Sequence, residues 1–295
     1  MISILITSYK ESRTIGKAIE AFNNQKIKEN YEILVASPDF ETGTVVMKYA
    51  SMFPNIRWIQ DKRKGKPAAI NLLLKEAKGD ILFLSDGDVY VSDNSVNDLL
   101  EHFKDPKVGI VSGRPVSLSP KNTMLGYWSH LLTNEAAHAT RIERTQKGEF
   151  IVCSGYLFAI RKKFQYIPED LLSEDAIMSH LMWQKGYKTN YEPKAEVYVK
   201  YPTNFKDWII QKKRSAGGYQ QISKYFKNPP IMRSFSKEII NGWYKPLKYA
   251  SNTKEFIWSL ALYPARLYLW LKIFMDINNK HFNLLDIWKP VESTK

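Results

Sequence analysis

Asp86-Gly87-Asp88 interrupts the apolar stretch ILFLSDGDVYV, residues 81–91. Two carboxylates one residue apart on a turn make a hard-oxygen half-site. Mg²⁺ or Mn²⁺ takes one or two such carboxylates and completes its shell with water and substrate phosphates. A second acid pair, Glu174-Asp175, sits in LLSEDAIMSHLMWQKGYK, residues 171–188. An acid on a separate element suits a general base that deprotonates a hydroxyl. The same pair also reads as ordinary first-turn acids of a helix capped by Ser173 and ended by Lys185-Gly186.

Regular elements must carry these acids. ISILIT (2–7), YEILVAS (31–37), NIRWIQ (55–60), DILFLSD (80–86) and VGIVSG (108–113) read as buried strands. Helical apolar spacing falls between them at 11–25, 42–53, 66–78 and 92–104, with Pro67 in a first turn where its missing N–H costs nothing. This alternation predicts an α/β fold with a mostly parallel sheet covered on both faces. Ligands of such sheets bind beyond the carboxyl ends of the strands, where Asp86 and Asp88 stand. The second half is less regular: a helix over 121–145, a strand pair or bent strand around Ser154-Gly155, the helix after Ser173, and a helix over 204–226 capped by Asn204.

With 43 Lys plus Arg against 30 Asp plus Glu, the chain carries a formal charge of +13. Such a field attracts phosphorylated molecules, nucleic acid or an anionic membrane. Lys200, Lys206, Lys212, Lys213, Arg214, Lys224 and Lys227 concentrate it in a stretch whose single acid is Asp207. One cysteine, Cys153, excludes an internal disulfide and a multi-cysteine zinc site. Neither G-x-G-x-x-G after the first strand nor G-x-x-x-x-G-K-[ST] occurs, and no G-x-S-x-G supports a serine hydrolase. The opening MISILITSYKES has no basic segment before its apolar run and predicts a cytoplasmic address.

The order of motifs resembles the family-two inverting glycosyltransferases of GT-A fold, which transfer a sugar from a nucleotide-sugar to an acceptor. ILITSYKES resembles the family's opening strand, which implies nucleobase and ribose contacts from Thr7, Tyr9 and Glu11. KGKPAAIN (64–71) resembles its G-K-x-x-A-L-N segment, placing Lys66 near the diphosphate and Asn71 in the following helix. SDGD resembles the D-x-D metal motif: Asp88 as ligand of Mn²⁺ or Mg²⁺, Asp86 by the ribose or in the metal shell. SEDAIMSH resembles the E-D segment, implying Asp175 as base with Glu174 beside it. QKKRSAGG (211–218) resembles Q-x-x-R-W, with Gln211 and Arg214 aligned and Ser215 where tryptophan is usual. Gln211, Arg214, Glu174 and Gly155 group at the acceptor or diphosphate. Where the family carries paired acids after its second strand, only Asp39 stands here. DIWKPVESTK (286–295) resembles a tail of membrane-associated members.

FIWSLALYPARLYLWLKIFM (256–275) is long enough to cross a bilayer, but Arg266 near its middle, Pro264 and Lys272 oppose that. Its Trp and Tyr content suits an interfacial amphipathic segment; a span and a core helix are the alternatives. The expectation is therefore a GT-A catalytic domain over 1–225 and a helical, membrane-associating extension over 226–295. Its expected activity is metal-dependent transfer from a UDP- or GDP-linked sugar to a lipid-linked or glycan acceptor, peripherally at the cytoplasmic face of a membrane. A sugar-phosphate nucleotidyltransferase is the enzyme alternative, weakened because SYKESRTI lacks a glycine-rich basic loop. A nucleic-acid- or membrane-binding module leaves both acid pairs without a role, since acids repel phosphate; no nucleic-acid partner is expected.

Overall fold

The computed structural model describes residues 1–232, 242–278 and 291–294. Most of the tail 286–295 lies outside them. Eight strands form one mixed sheet in the order β3-β2-β1-β4-β7-β6-β8-β5. The parallel half comprises β1 (Ile2–Thr7), β2 (Tyr31–Ser37), β3 (Ile56–Gln60) and β4 (Ile81–Asp86). The rest is β5 (Tyr90–Val91), β6 (Val108–Ser117), β7 (Leu157–Arg161) and β8 (Lys188–Val199). β7 runs antiparallel between β4 and β6, whereas β6 and β8 are parallel.

Side chains alternate across the strands, so each strand feeds two cores. Leu5, Leu34, Leu82 and Leu84 pack on one face with α3 (Lys66–Glu76) and α7 (Glu174–Gln184). Ile4, Ile6, Ile33, Val35 and Phe83 pack on the other with α1 (Ile15–Asn23), α2 (Phe40–Met52) and α4 (Ser95–Glu101). All six residues of β1 are buried, as expected of a strand flanked by strands and covered by helices. Its register pairs Thr7 with Ala36 on one side and Asp86 on the other. The strand ends that hold the acids are therefore level.

Several expectations are corrected. β8 was hidden by its polar alternation and by Pro193, which a strand tolerates at edges and irregularities; its register to β6 shifts between Ser112 and Arg114. Around Ser154-Gly155 there is no strand pair; the strand begins at Leu157. The helix expected over 121–145 is α5 (Met124–Leu131), a π-helical segment (Leu132–His138) and α6 (Ala139–Gln146). Apolar spacing along the stretch does not reveal where a π segment widens the coil. Phe226 and Met232, past the end of α8 (Phe205–Tyr225), pack into the first core.

Beyond them lie a short helix α9 (Lys245–Tyr249) and α10 (Thr253–Asn278). One side of α10 packs by Leu262 and Ala265 on Tyr127, Trp128 and Trp208. Among the described residues no helix is long and apolar enough to cross a membrane.

Candidate active site

At the end of β4, Asp86 Oδ1 accepts a hydrogen bond from Thr7 Oγ1 at 3.2 Å and lies 2.6 Å from Lys66 Nζ. Gly87 does not serve by conformational freedom, because its φ is not in the left-handed region. It serves by close approach: a β-carbon there would stand 2.5 Å from Ser8 Oγ and 2.6 Å from Glu11 Oε2. Glycine lets the turn sit against the loop after β1. Asp88 follows, half-buried. Burial and the neighbouring Asp86 charge push its carboxyl up to about 6.

Lys66 is the first residue of α3, with Gly65 before it at φ +101°. Its ammonium bridges two elements, 2.6 Å from Asp86 Oδ1 and 2.6 Å from Glu174 Oε1. Burial alone would lower its pKa; the charges of Asp86 and Glu174 outweigh burial and raise it well above the usual lysine value. Glu174, 5% exposed, is correspondingly held below the usual range by Lys66 in spite of its burial. The lysine expected at the diphosphate thus also ties the D-x-D strand to the E-D helix.

Ser173 occupies the cap position of α7, yet its side chain does not cap the helix. Its hydroxyl donates instead to Asp175 Oδ1 at 2.6 Å, and the Ala176 amide donates to the same oxygen at 2.9 Å. Gly155 faces the other oxygen: a β-carbon there would lie 3.4 Å from Asp175 Oδ2. Burial and the Glu174 charge raise the Asp175 pKa. Ser173 is wedged in turn by α8, where a β-carbon on Gly218 would fall 2.3 Å from Ser173 Cβ.

α8 is capped as expected, Asn204 accepting from the Asp207 amide. It brings Gln211 and Arg214 to the wall of a cavity of about 1280 Å³ that Lys66, Asp86, Glu174, Asp175 and Gly155 also line. Gln211 Nε2 donates to the Tyr156 hydroxyl at 3.3 Å, while its buried Oε1 has no hydrogen-bond partner. A buried acceptor without a partner is costly, and it belongs to a residue of the cavity wall. Ser215 lines the same wall.

Tyr9, Glu11 and Asp39 do not line that cavity; they gather at the ends of β1 and β2. Lys10 and Arg63 stand over the Tyr9 ring at 5.6 and 5.2 Å. Glu11 Oε2 accepts from Ser8 Oγ, and its amide donates to Thr42 Oγ1. Asp39 caps α2 through the Thr42 amide and also accepts from the Lys10 amide. These bonds outweigh its burial and hold its carboxyl below the usual range. Asn71 is structural, clasping the Ile167 backbone through both ends of its amide. His180 is a core residue packed between the tilted rings of Phe150 and Phe226.

The motifs miss three residues. Asp61, just past β3, lies close enough to Asp39 for that charge, added to burial, to raise its pKa. The strand-end rule points to it, since it follows β3 as Asp39 follows β2. Ser173 reads in the sequence as a helix cap rather than as the partner of Asp175, and Tyr156 carries no sequence signal, because its bond to Gln211 spans the fold. Among the described residues no group of three or more His, Cys, Asp or Glu side chains could hold a metal ion. The acid pair still fits a divalent cation: Asp88 bears a repelled, half-buried carboxylate, the condition a bound cation relieves.

The family model described as Glycosyl transferase family 2 matches residues 3–166. The chain belongs to that family. Poly-beta-1,6-N-acetyl-D-glucosamine synthase of Staphylococcus aureus is 27% identical over 234 residues, 76% of this chain and 56% of the relative. A probable glycosyltransferase, YdaM, of Bacillus subtilis is 25% identical over 75% of this chain and 56% of its own length. The chain thus spans little more than half the length of these curated relatives. Among solved structures, mannosyltransferase PcManGT from Pyrobaculum calidifontis, in complex with GDP-Man and Mn²⁺, superposes with a TM-score of 0.64 at 17% identity. That match covers 97% of this chain and 85% of PcManGT. TarS 1–349 of S. aureus, in complex with UDP, gives 0.51 at 16% identity over 73% of this chain and 64% of that one. The fold is GT-A, as the family-two motifs imply.

Proposed function

We propose that this family-two chain is an inverting, metal-dependent glycosyltransferase that uses a UDP- or GDP-linked sugar and a lipid-linked or glycan acceptor. The observation that carries the reading is the Lys66 bridge, which sets Asp86 and Glu174 within 2.6 Å of one ammonium and Asp175 beside them on one cavity wall.

Asp88 and Asp86 would hold Mn²⁺ or Mg²⁺. When bound, the ion neutralises charge that builds on the leaving diphosphate. Thr7 fixes Asp86 from the strand side, and Lys66 fixes it from α3. Asp175 Oδ2, the oxygen not engaged by Ser173 and Ala176, takes the proton of the acceptor hydroxyl. The acceptor oxygen then bonds to the anomeric carbon, and the bond to the diphosphate breaks with its electron pair going to the phosphate oxygen. Attack opposite the leaving group inverts the anomeric centre. Arg214 adds positive charge for the diphosphate, and Gln211, on the same wall, would turn its unpartnered carbonyl to an acceptor hydroxyl. Tyr9, Glu11, Asp39 and Thr7 form the nucleoside end.

In this reading residues 1–225 are the catalytic domain and 226–295 an extension that holds the enzyme peripherally at the cytoplasmic face of a membrane. The deciding experiment is thermal unfolding with UDP or GDP, each with Mn²⁺ and with EDTA. A ligand at ~100 times its Kd adds about 2.7 kcal/mol. Stabilisation by one nucleotide, only with metal and lost in Asp88→Asn, is expected. Indifference to both nucleotides overturns the proposal.

A further inference from the structure

The helix α10 has two apolar sides, and among the described residues the domain buries one of them. Leu262, Ala265, Leu269 and Ile273 are buried against the body of the protein. Ile257, Leu260, Leu267, Leu271, Phe274 and Met275 are each 40–59% exposed. At about 100° per residue these six fall within roughly a third of the circumference and run for ~27 Å. An apolar stripe of that length on a charged, water-facing protein marks a contact surface.

Its chemistry selects the partner. No acid interrupts the stripe between Phe256 and Met275. Along one margin Lys254 and Lys272 lie five turns apart on the same line of the helix. They stand 4.7 Å over the Trp258 ring and 5.7 Å over the Tyr268 ring. Beyond the helix, Trp243 and Tyr244 are 58% and 48% exposed. Trp258 itself packs against Tyr127 in the body of the protein, but an apolar stripe flanked by lysines and by the exposed rings of Tyr268, Trp243 and Tyr244 suits the headgroup boundary of an anionic bilayer. Packing of this face on a second copy would bring lysine margins together with no acid on the stripe to pair them.

The stripe also meets the cavity. Leu267, Trp243 and Tyr244 are exposed and line the cavity wall, as does Pro264 between the two halves of α10. We propose that the outer face of α10 docks on an anionic bilayer and thereby sets the mouth of the cavity at the lipid plane. Resting on the transferase reading for what the cavity does, this implies that an amphipathic acceptor enters from the membrane side rather than from water.

The test is co-sedimentation of the full chain with phosphatidylcholine vesicles, with and without phosphatidylglycerol. The variant is Leu260→Glu combined with Leu271→Glu; both side chains are exposed and neither lines the cavity. Wild-type protein is expected to sediment with the anionic vesicles and to be released by salt, and the double variant to bind at least about tenfold less. An unchanged unfolding midpoint shows that the variant is folded. Failure of the wild type to bind, equal binding by the variant, or a variant that changes only the oligomeric state each overturns the proposal. Nucleotide stabilisation measured on the same samples is independent of these outcomes, so a failed transferase reading is told apart from a failed docking face.

Discussion

Ser173 Oγ lies 2.6 Å from Asp175 Oδ1 and donates its proton there. The serine that stands where a helix cap belongs has given up capping to orient the carboxylate two residues on. With the Ala176 amide it occupies one oxygen and leaves Oδ2 toward Gly155 and the cavity. It also opposes the two influences, burial and Glu174, that raise the Asp175 pKa.

Ser173→Ala should therefore move the acidic limb of the pH–rate profile to higher pH. In the proposed mechanism Asp175 is a base and must be deprotonated, and losing the donor raises its pKa further. A fall in kcat of about tenfold is expected alongside, with nucleotide affinity unchanged. A pH profile that keeps its limb while kcat falls would assign the serine to folding alone.

Asp88 gives a stability signature. Burial and the Asp86 charge push its folded carboxyl up to about 6, above the ordinary aspartate value of 3.8, so the folded state binds that proton more tightly. The resulting stability is full below pH ~4 and is lost as pH rises through about 6, at most ~3 kcal/mol before solvent screening reduces it. In EDTA the unfolding midpoint should fall across this window relative to Asp88→Asn. Mn²⁺ should restore it in the wild type only.

Lys66→Met leaves Glu174 buried and unpaired and deprives Asp86 of its cation. Removing one partner of a buried ion pair costs about 3–5 kcal/mol. The double variant Lys66→Met, Glu174→Gln should recover part of that loss, as read by denaturant unfolding. Transfer activity should remain absent in both, because Lys66 serves the site as well as the fold.

Gly87→Ala adds a methyl 2.5 Å from Ser8 Oγ and 2.6 Å from Glu11 Oε2. Shifting these groups should cost roughly 1–3 kcal/mol. The same shift should weaken nucleotide-dependent stabilisation, since Glu11 and the D-x-D turn move together. Equal nucleotide stabilisation in this variant and the wild type would separate Glu11 from the nucleoside end.

Local sequence settled what depends on local physics. Apolar runs and helical spacing fixed β1 to β4 and α1 to α3 because each buries a face that its own residues define. The strand-end position of Asp86 and Asp88 followed from that alternation, and with it the end of the sheet where the acids gather. β8 escaped notice because its polar alternation and Pro193 mimic a loop until the sheet gives each inward side chain a neighbour. Gly87 reads as a flexible turn residue, whereas Ser8 and Glu11, nearly eighty positions earlier, are what exclude a side chain.

Only tertiary structure could bring Lys66 between Asp86 and Glu174, elements 20 and 108 residues away. It alone wedged Ser173 against Gly218 of α8 and left Gln211 Oε1 buried without a partner. Residue types and strand ends are written along the chain, so the acids and their class of chemistry could be read from it. Which Asp175 oxygen is engaged, which charge is paired and which face of α10 is exposed among the described residues depend on distances that exist only once the sheet has closed.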